Sequence, residues 1–143
     1  MERGKLVDNF LVFFPFVYKK LMRDMPVSDI SRQKLGLLQL ISSNDCNTMS
    51  YYSNKTMISK PNLTVMADKL IEENLIERMY DPNDRRVINL KITEKGKNVL
   101  EKHKIKVKET LLKKFEMLGD DEVKRLNELI NEMESIMKNI TRE

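Results

Sequence analysis

The sequence predicts a mainly α-helical protein carrying one small β-hairpin, and three observations predict it. Apolar residues recur at intervals of three and four along most of the chain. Two short strand-like stretches flank one strong turn, Asp81-Pro82-Asn83-Asp84. Gly and Pro number only four each among 143 residues, too few for a loop-rich or fibrous chain. With 41% hydrophobic and 34% charged residues, the chain can bury one core and needs no second folded domain.

Leu6, Phe10, Phe13, Val17 and Leu21 form one helical face, so a first helix is expected over residues 5–25, ending before Pro26. Pro15 removes one hydrogen bond inside it and predicts a kink near Val12 to Pro15. Ser31 caps a second helix bearing Leu35, Leu38 and Ile41, which the run Ser42-Ser43-Asn44-Asp45 ends. Ser50 to Thr56 reads as a short third helix. Ser59 caps a fourth, with Pro61 in its first turn and Leu63, Met66, Ala67 and Leu70 on its inner face.

Asn74 stands where that helix should stop, because Asn tolerates the left-handed backbone that a helix stop often needs. Leu75 to Met79 and Val87 to Ile92 then read as the two strands of the hairpin. Thr93 caps a long fifth helix running to about Leu118, and Gly119-Asp120 starts a sixth. In the sixth, Val123, Leu126, Ile130, Met133, Met137 and Ile140 repeat at alternating intervals of three and four. That is a heptad-type seam on a helix roughly 30 Å long. A lone helix cannot leave such a stripe in water, and the aromatic-rich face of the first helix needs a partner surface too.

Charge is distributed unevenly. Residues 95–114 hold eight Lys against Glu101 and Glu109, a net of +6, whereas residues 115–143 carry −4, within a chain total of +4. A basic band beside an acidic tail suits a polyanion on one side of the molecule, and equally a solvated helix face. Cys46 is the only cysteine and His103 the only histidine, so one chain cannot assemble a disulfide, a zinc site or a Cys-Cys redox pair. No cofactor is implied, and a reducing, cytoplasmic address is expected. The longest apolar run, Phe10 to Tyr18, is far short of the roughly 18 residues of a membrane span, so no membrane partner is expected.

Helix, tight turn, helix, hairpin and long helix, in that order, make a winged helix-turn-helix flanked by long N- and C-terminal dimerisation helices. The lobe is expected over residues 30–95 and the helical region over 1–27 and 96–143. In such a module the second helix of the pair presents short polar side chains at its amino end to base edges in the major groove. Ser59, Lys60, Asn62 and Thr64 hold those places. Exposed N–H groups and the helix dipole at the same end favour a phosphate. At the hairpin tip stand Asp84, Arg85 and Arg86, and a guanidinium on a tight turn can enter a narrow minor groove. On its own, that trio would be an ordinary surface ion pair.

The stretch from Ile58 through Thr64, followed by Asp68 through Arg78, resembles the recognition helix and first wing strand of the MarR-type regulators. Asp81-Pro-Asn-Asp-Arg-Arg-Val87 and Ile92-Thr-Glu-Lys-Gly96 are similar to that family's wing and to the opening of its long helix. The match covers about residues 48–97. The resemblance implies a homodimeric transcriptional repressor on double-stranded, pseudo-palindromic operator DNA, released in many members by a small phenolic or other anionic effector or by cysteine oxidation. It also implies that Asp84 braces the wing, Arg86 enters the minor groove, Arg85 contacts phosphate, and Ser59, Lys60, Asn62 and Thr64 face DNA. Val65 departs from the family pattern, which often has a base-contacting Arg there. So do Tyr52 and Ser53, where Leu-Ala is usual, Met57, where Gly or Asn is common, and Asn74, which replaces a Gly.

Cys46 as an oxidant sensor is disfavoured by Asp45 beside it, which opposes a thiolate. His103 among lysines lacks a triad or metal partner and reads as a surface residue. Phe10, Phe13, Phe14, Phe16 and Tyr18 suit a dimer core better than an effector pocket. An enzyme has no evident site in this sequence. The alternative to a regulator is a helical dimeric adaptor that has lost operator readout, which Val65 and the neutral balance of residues 48–94 favour.

Overall fold

The computed structural model describes residues 1–25 and 29–140. Among these described residues, six helices and three strands follow in the order α1 (Glu2–Met22), α2 (Arg32–Ser43), β1 (Asn47–Thr48), α3 (Met49–Thr56), α4 (Lys60–Glu72), β2 (Ile76–Tyr80), β3 (Ile88–Ile92), α5 (Glu94–Phe115) and α6 (Asp120–Met137). Backbone contacts divide the chain into two compact units, Pro26–Lys106 and Met1–Met25 with Val107–Glu143.

The central unit owes its shape to one core. Leu37, Leu38 and Ile41 of α2, Tyr52 of α3, Leu63, Ala67 and Leu70 of α4, and Leu75, Ile76, Leu90 and Ile92 around the sheet are all buried. Each fully buried Leu or Ile contributes about 1.5–3 kcal/mol, and truncating Leu38 to Ala would cost roughly 2–5 kcal/mol. The starts of α2 and α3 are capped by hydroxyl side chains, which favour that position. Ser31 accepts from the Lys34 N–H at 3.3 Å, and Thr48 accepts from Tyr51 at 3.2 Å.

Asn74 ends α4 in the left-handed conformation, φ 59°. Its N–H bonds the Ile71 carbonyl and the Leu75 N–H reaches back to Leu70, both at 2.9 Å. The two orphan carbonyls of the last turn are thereby satisfied, and buried Leu75 lands beside buried Leu70 in the manner of a Schellman stop. Thr93 caps α5 as expected, accepting from Gly96 at 3.0 Å while donating to the Asn74 carbonyl at 2.7 Å. The start of α5 is thus tied to the end of α4.

The expected two-stranded hairpin is one edge of a three-stranded antiparallel sheet, ordered β1-β3-β2. β2 and β3 pair from Ile76 opposite Ile92 to Tyr80 opposite Ile88, one residue later at the start of each strand than expected. β1 pairs Asn47 with Leu90 and Thr48 with Asn89. Two residues carry no alternation, so β1 left no sequence signal. Cys46 turns the chain into it at φ 65° and donates its N–H to Leu90 at 3.1 Å.

In the other unit, α1 begins at Glu2, earlier than expected, and passes through Pro15 without ending. It stops at Met22, three residues short of the expected end. Pro26 bars the helical region to Met25 and its ring would crowd the carbonyl four residues back. α5 ends at Phe115 and not near Leu118, the last turn tightening through a Leu118 N–H bond to Phe115 at 3.0 Å. Gly119 starts α6, whose Glu122 carboxylate accepts from the Gly119 N–H at 3.0 Å. Asp120, Asp121 and Glu122 in that first turn suit the positive end of the helix dipole. The helix ends at Met137, just before the last residue of the expected seam, Ile140.

No residue of α1 or α6 is buried within this chain. Phe13, Phe16, Leu129, Ile130 and Ile136 are at least half exposed. Lys114 fastens this unit to itself, bonding the Lys20 carbonyl at 3.0 Å and Asp24 at 3.1 Å. None of its helices is long and apolar enough to cross a membrane, and the same is true of every helix among the described residues.

Candidate nucleic-acid interface

All the polar residues picked from sequence lie in the central unit. The turn between α3 and α4 is made by Met57, left-handed at φ 57° and fully exposed. Side chains of α3 close that turn: Ser53 Oγ donates to the Ile58 carbonyl at 2.9 Å and Thr56 Oγ1 accepts from the Ile58 N–H at 3.3 Å. Ser53 in place of Ala therefore supplies a hydrogen bond across the turn. Tyr52 in place of Leu is fully buried, and its hydroxyl donates to the Asn44 carbonyl at 2.6 Å and accepts from Asn47 at 3.2 Å. Tyr51 adds a hydroxyl bond to Asn44 Oδ1 at 3.0 Å. The first helix of the pair is thus pinned to the loop that leads into β1.

On α4, Leu63, Ala67 and Leu70 are buried, while Pro61, Asn62, Val65 and Lys69 are exposed on the other side. Ser59 and Lys60 are exposed at its start. Ser59 occupies the capping position, but its side chain makes no cap bond; only its carbonyl does, accepting from Leu63 at 2.9 Å. Pro61 explains part of this, since it removes one of the two N–H groups that a capping oxygen normally takes. The Ser59 hydroxyl is left facing outward. Thr64 differs again: it is half-buried and its hydroxyl donates to the Lys60 carbonyl at 2.8 Å. The remaining polar side chains on the exposed start of α4 are Ser59, Lys60 and Asn62.

The wing turn is built by two carboxylates. Asp81 Oδ1 accepts from the N–H groups of Asn83 and Asp84 at 2.8 and 3.3 Å, folding the turn on itself. Asp84 then takes the Arg86 N–H at 3.0 Å, its Nε at 3.1 Å and a terminal nitrogen at 3.2 Å. The Arg86 guanidinium holds the Asp84 carboxyl below the usual carboxylate range, with the Arg86 N–H adding to it. The side chain of Arg86 is 91% exposed, and Arg85 beside it is exposed as well. The turn at Asp81-Pro82-Asn83-Asp84 is the one expected from sequence; that the Asp81 carboxylate closes it was not legible there.

An ion pair between Arg78 of β2 and Asp68 of α4 ties the wing to the helix. Lys34 of α2 pairs with Glu73 at 2.7 Å, and Lys95 bonds the Glu73 carbonyl at 2.8 Å, so the end of α4 is held from two sides. Cys46 is exposed, and His103 is half-buried on α5. No group of three His, Cys, Asp or Glu among the described residues could hold a metal ion.

A helix-turn-helix followed by a wing, with these side chains outward, can be compared with known proteins. Residues 30–88 match the MarR family model. The match spans α2 to the start of β3. It is 28% identical over 106 residues to YpoP, an uncharacterized HTH-type transcriptional regulator of Bacillus subtilis (strain 168), covering 74% of this chain and 75% of the relative. Among solved structures, the transcriptional regulator Tm0710 of Thermotoga maritima superposes with a TM-score of 0.72 at 23% identity, covering all of both chains. FabT of Streptococcus pneumoniae, solved in complex with DNA, matches with a TM-score of 0.59 at 22% identity over 97% of this chain and 96% of that one. The chain has the winged helix-turn-helix fold of these proteins, and the curated relatives it resembles are transcriptional regulators.

Proposed function

We propose that this chain is a MarR-type transcriptional regulator that binds a pseudo-palindromic operator in double-stranded DNA as a homodimer, in the cytoplasm, and represses the genes beside it. Ser59, Lys60 and Asn62 on the exposed start of α4 enter the major groove. Arg86 enters the adjacent minor groove, Arg85 contacts phosphate, and Asp84 braces the wing. Thr64 contributes through its methyl group, because its hydroxyl hydrogen is taken by Lys60. The observation that carries this reading is Arg86: a guanidinium almost wholly in solvent, yet held by two hydrogen bonds to a carboxylate that also accepts the Arg86 main-chain N–H. An exposed arginine held in one orientation loses less freedom when it meets a groove of negative potential. FabT, solved with DNA bound, offers a precedent for such use of the fold.

The second copy is asked for by α1 and α6, no residue of which is fully buried within one chain. Two open apolar grooves, of about 520 and 560 Å³, run between them. The first is lined by Leu6, Phe10, Val12, Phe13, Phe16 and Met133, with Asn9 as its one polar side chain; Phe14, Met137 and Ile140 are among those lining the second. A phenolic or anionic effector that releases the operator would find only Asn9 to bond, so these grooves favour the helices of a partner chain as occupant.

Selection of bound fragments from random DNA, followed by gel retardation, tests the reading. A retarded palindrome whose half-sites lie about one helical turn, roughly 34 Å, apart is expected. A stable dimer that retards no duplex would instead support an adaptor that has lost readout. A monomer at micromolar concentration would remove the basis for paired half-sites.

A further inference from the structure

Resting on the operator-binding reading above, we infer that Val65 selects the operator half-site by packing on the C5 methyl group of a thymine. Val65 lies on α4 but takes no part in its packing: it is 55% exposed, while Leu63 and Ala67 on either side of it are buried. It shares the outward face of the helix with Asn62, three residues earlier, and Pro61, four residues earlier, both exposed. A helix lying in the major groove presents that face, over its first two turns, to base edges.

Valine can neither donate nor accept a hydrogen bond. Set against a guanine or cytosine edge, it would strip water from polar atoms and give nothing back. The one apolar group on a major-groove base edge is the thymine methyl, which gains from contact with a branched hydrocarbon. The neighbouring Thr64 hydroxyl cannot substitute as a donor there, because its hydrogen is held on the Lys60 carbonyl at 2.8 Å. Asn62, with an exposed amide, matches the paired acceptor and donor of adenine. One exposed face thus combines an amide suited to adenine with a hydrocarbon suited to thymine, and selects A·T-containing steps.

The test uses the full chain and the duplex that it selects from random DNA. Each thymine of the half-site is replaced in turn by deoxyuridine, which pairs identically but lacks the methyl group. At one symmetry-related position, affinity should fall about fourfold per half-site, the effect of one buried methyl. Val65→Ala should bind the thymine duplex more weakly and no longer distinguish it from the deoxyuridine duplex. The inference is overturned by a selected half-site without thymine, by insensitivity at every thymine, or by a Val65→Ala protein that keeps the wild-type discrimination. If no duplex is retarded at all, the operator-binding reading fails first, and the two failures are told apart.

Discussion

The carboxylate of Asp84 accepts three hydrogen bonds from Arg86, one from its main chain and two from its guanidinium, at 3.0 to 3.2 Å. Asp84 therefore both shapes the tip of the wing and aims its cation. Replacing Arg86 with Ala removes the cation and should weaken operator binding by about 1–3 kcal/mol, with a shallower salt slope. Asp84→Asn keeps the cation and loses only its alignment, so affinity should fall less and the salt slope should stay. Gel retardation over a salt series separates the two. Equal losses and equal slopes would show that Arg86 does not act as a charge.

The same pair predicts a titration. The Arg86 guanidinium and N–H hold the Asp84 carboxyl below its ordinary range. A depressed folded pKa stabilises the protein at pH values above the unfolded pKa, and the contribution is lost as pH falls through the folded one. The pair should therefore stay intact from about pH 5 upward. Carbon-detected NMR of the Asp84 carboxyl should give a low pKa that returns to the ordinary range in Arg86→Ala. An identical pKa in both proteins would mean that the pair does not persist in solution.

What the sequence disclosed, and what it hid, follows from how far each signal reaches. Asn74 could be read as a helix stop because the left-handed conformation selects residue type locally, and its φ of 59° agrees. The apolar faces of α2 and α4 could be read because burial repeats with the helical period. β1 could not, since two residues hold no period and its pairing with β3 bridges more than forty positions. The Ser53 bond to Ile58 was equally hidden: a Ser in a helix has several uses, and only the turn at Met57 decides which. For Ser59, the capping position was legible but the missing side-chain bond was not.

Gly96 marks where the start of α5 meets the sheet. A Cβ there would strike the Leu75 carbonyl and lie 2.8 Å from Ile92 Cγ1. The Leu75 carbonyl cannot give way easily, since it accepts the Thr93 N–H at 3.1 Å. Gly96→Ala should destabilise the fold by about 1–3 kcal/mol through overpacking, measured by chemical denaturation. Gly36→Ala, where nothing lies within 4 Å of the added Cβ, serves as the control. It should be neutral or slightly stabilising, as Ala exceeds Gly in helix propensity. Equal stabilities for the two variants would contradict the close approach at Gly96.

Two non-glycine residues hold left-handed backbone at the ends of α3 and α4, Met57 at φ 57° and Asn74 at φ 59°. The side chain of Met57 is fully in solvent, so its removal loses no packing. Met57→Gly should stabilise the protein by up to about 1 kcal/mol, the relief of steric strain exceeding the entropy of glycine. Asn74→Ala should destabilise it by roughly 1 kcal/mol, and Asn74→Gly should not. Opposite signs for Met57→Gly and Asn74→Ala in thermal melts check both; a loss of stability in Met57→Gly would refute the strain argument.

Among the described residues, Tyr52 is the one large polar side chain at the centre of the core, with its ring fully buried and its hydroxyl bonded to both Asn44 and Asn47. Tyr52→Phe preserves the packing but leaves the Asn47 N–H and the Asn44 carbonyl each one partner short. It should therefore cost about 1–3 kcal/mol at neutral pH. Burial raises the phenol pKa, outweighing the hydrogen bonds from Asn47 that lower it. A raised folded pKa gives stability that is complete below the unfolded pKa and is lost as pH climbs through the folded one. The wild type should accordingly lose stability above about pH 10, the range where an unfolded tyrosine ionises, more steeply than Tyr52→Phe does. Urea titrations of both proteins across that range measure the difference. Parallel stability curves would mean that the Tyr52 hydroxyl is not held as a buried donor, and that α3 owes its anchorage to packing alone.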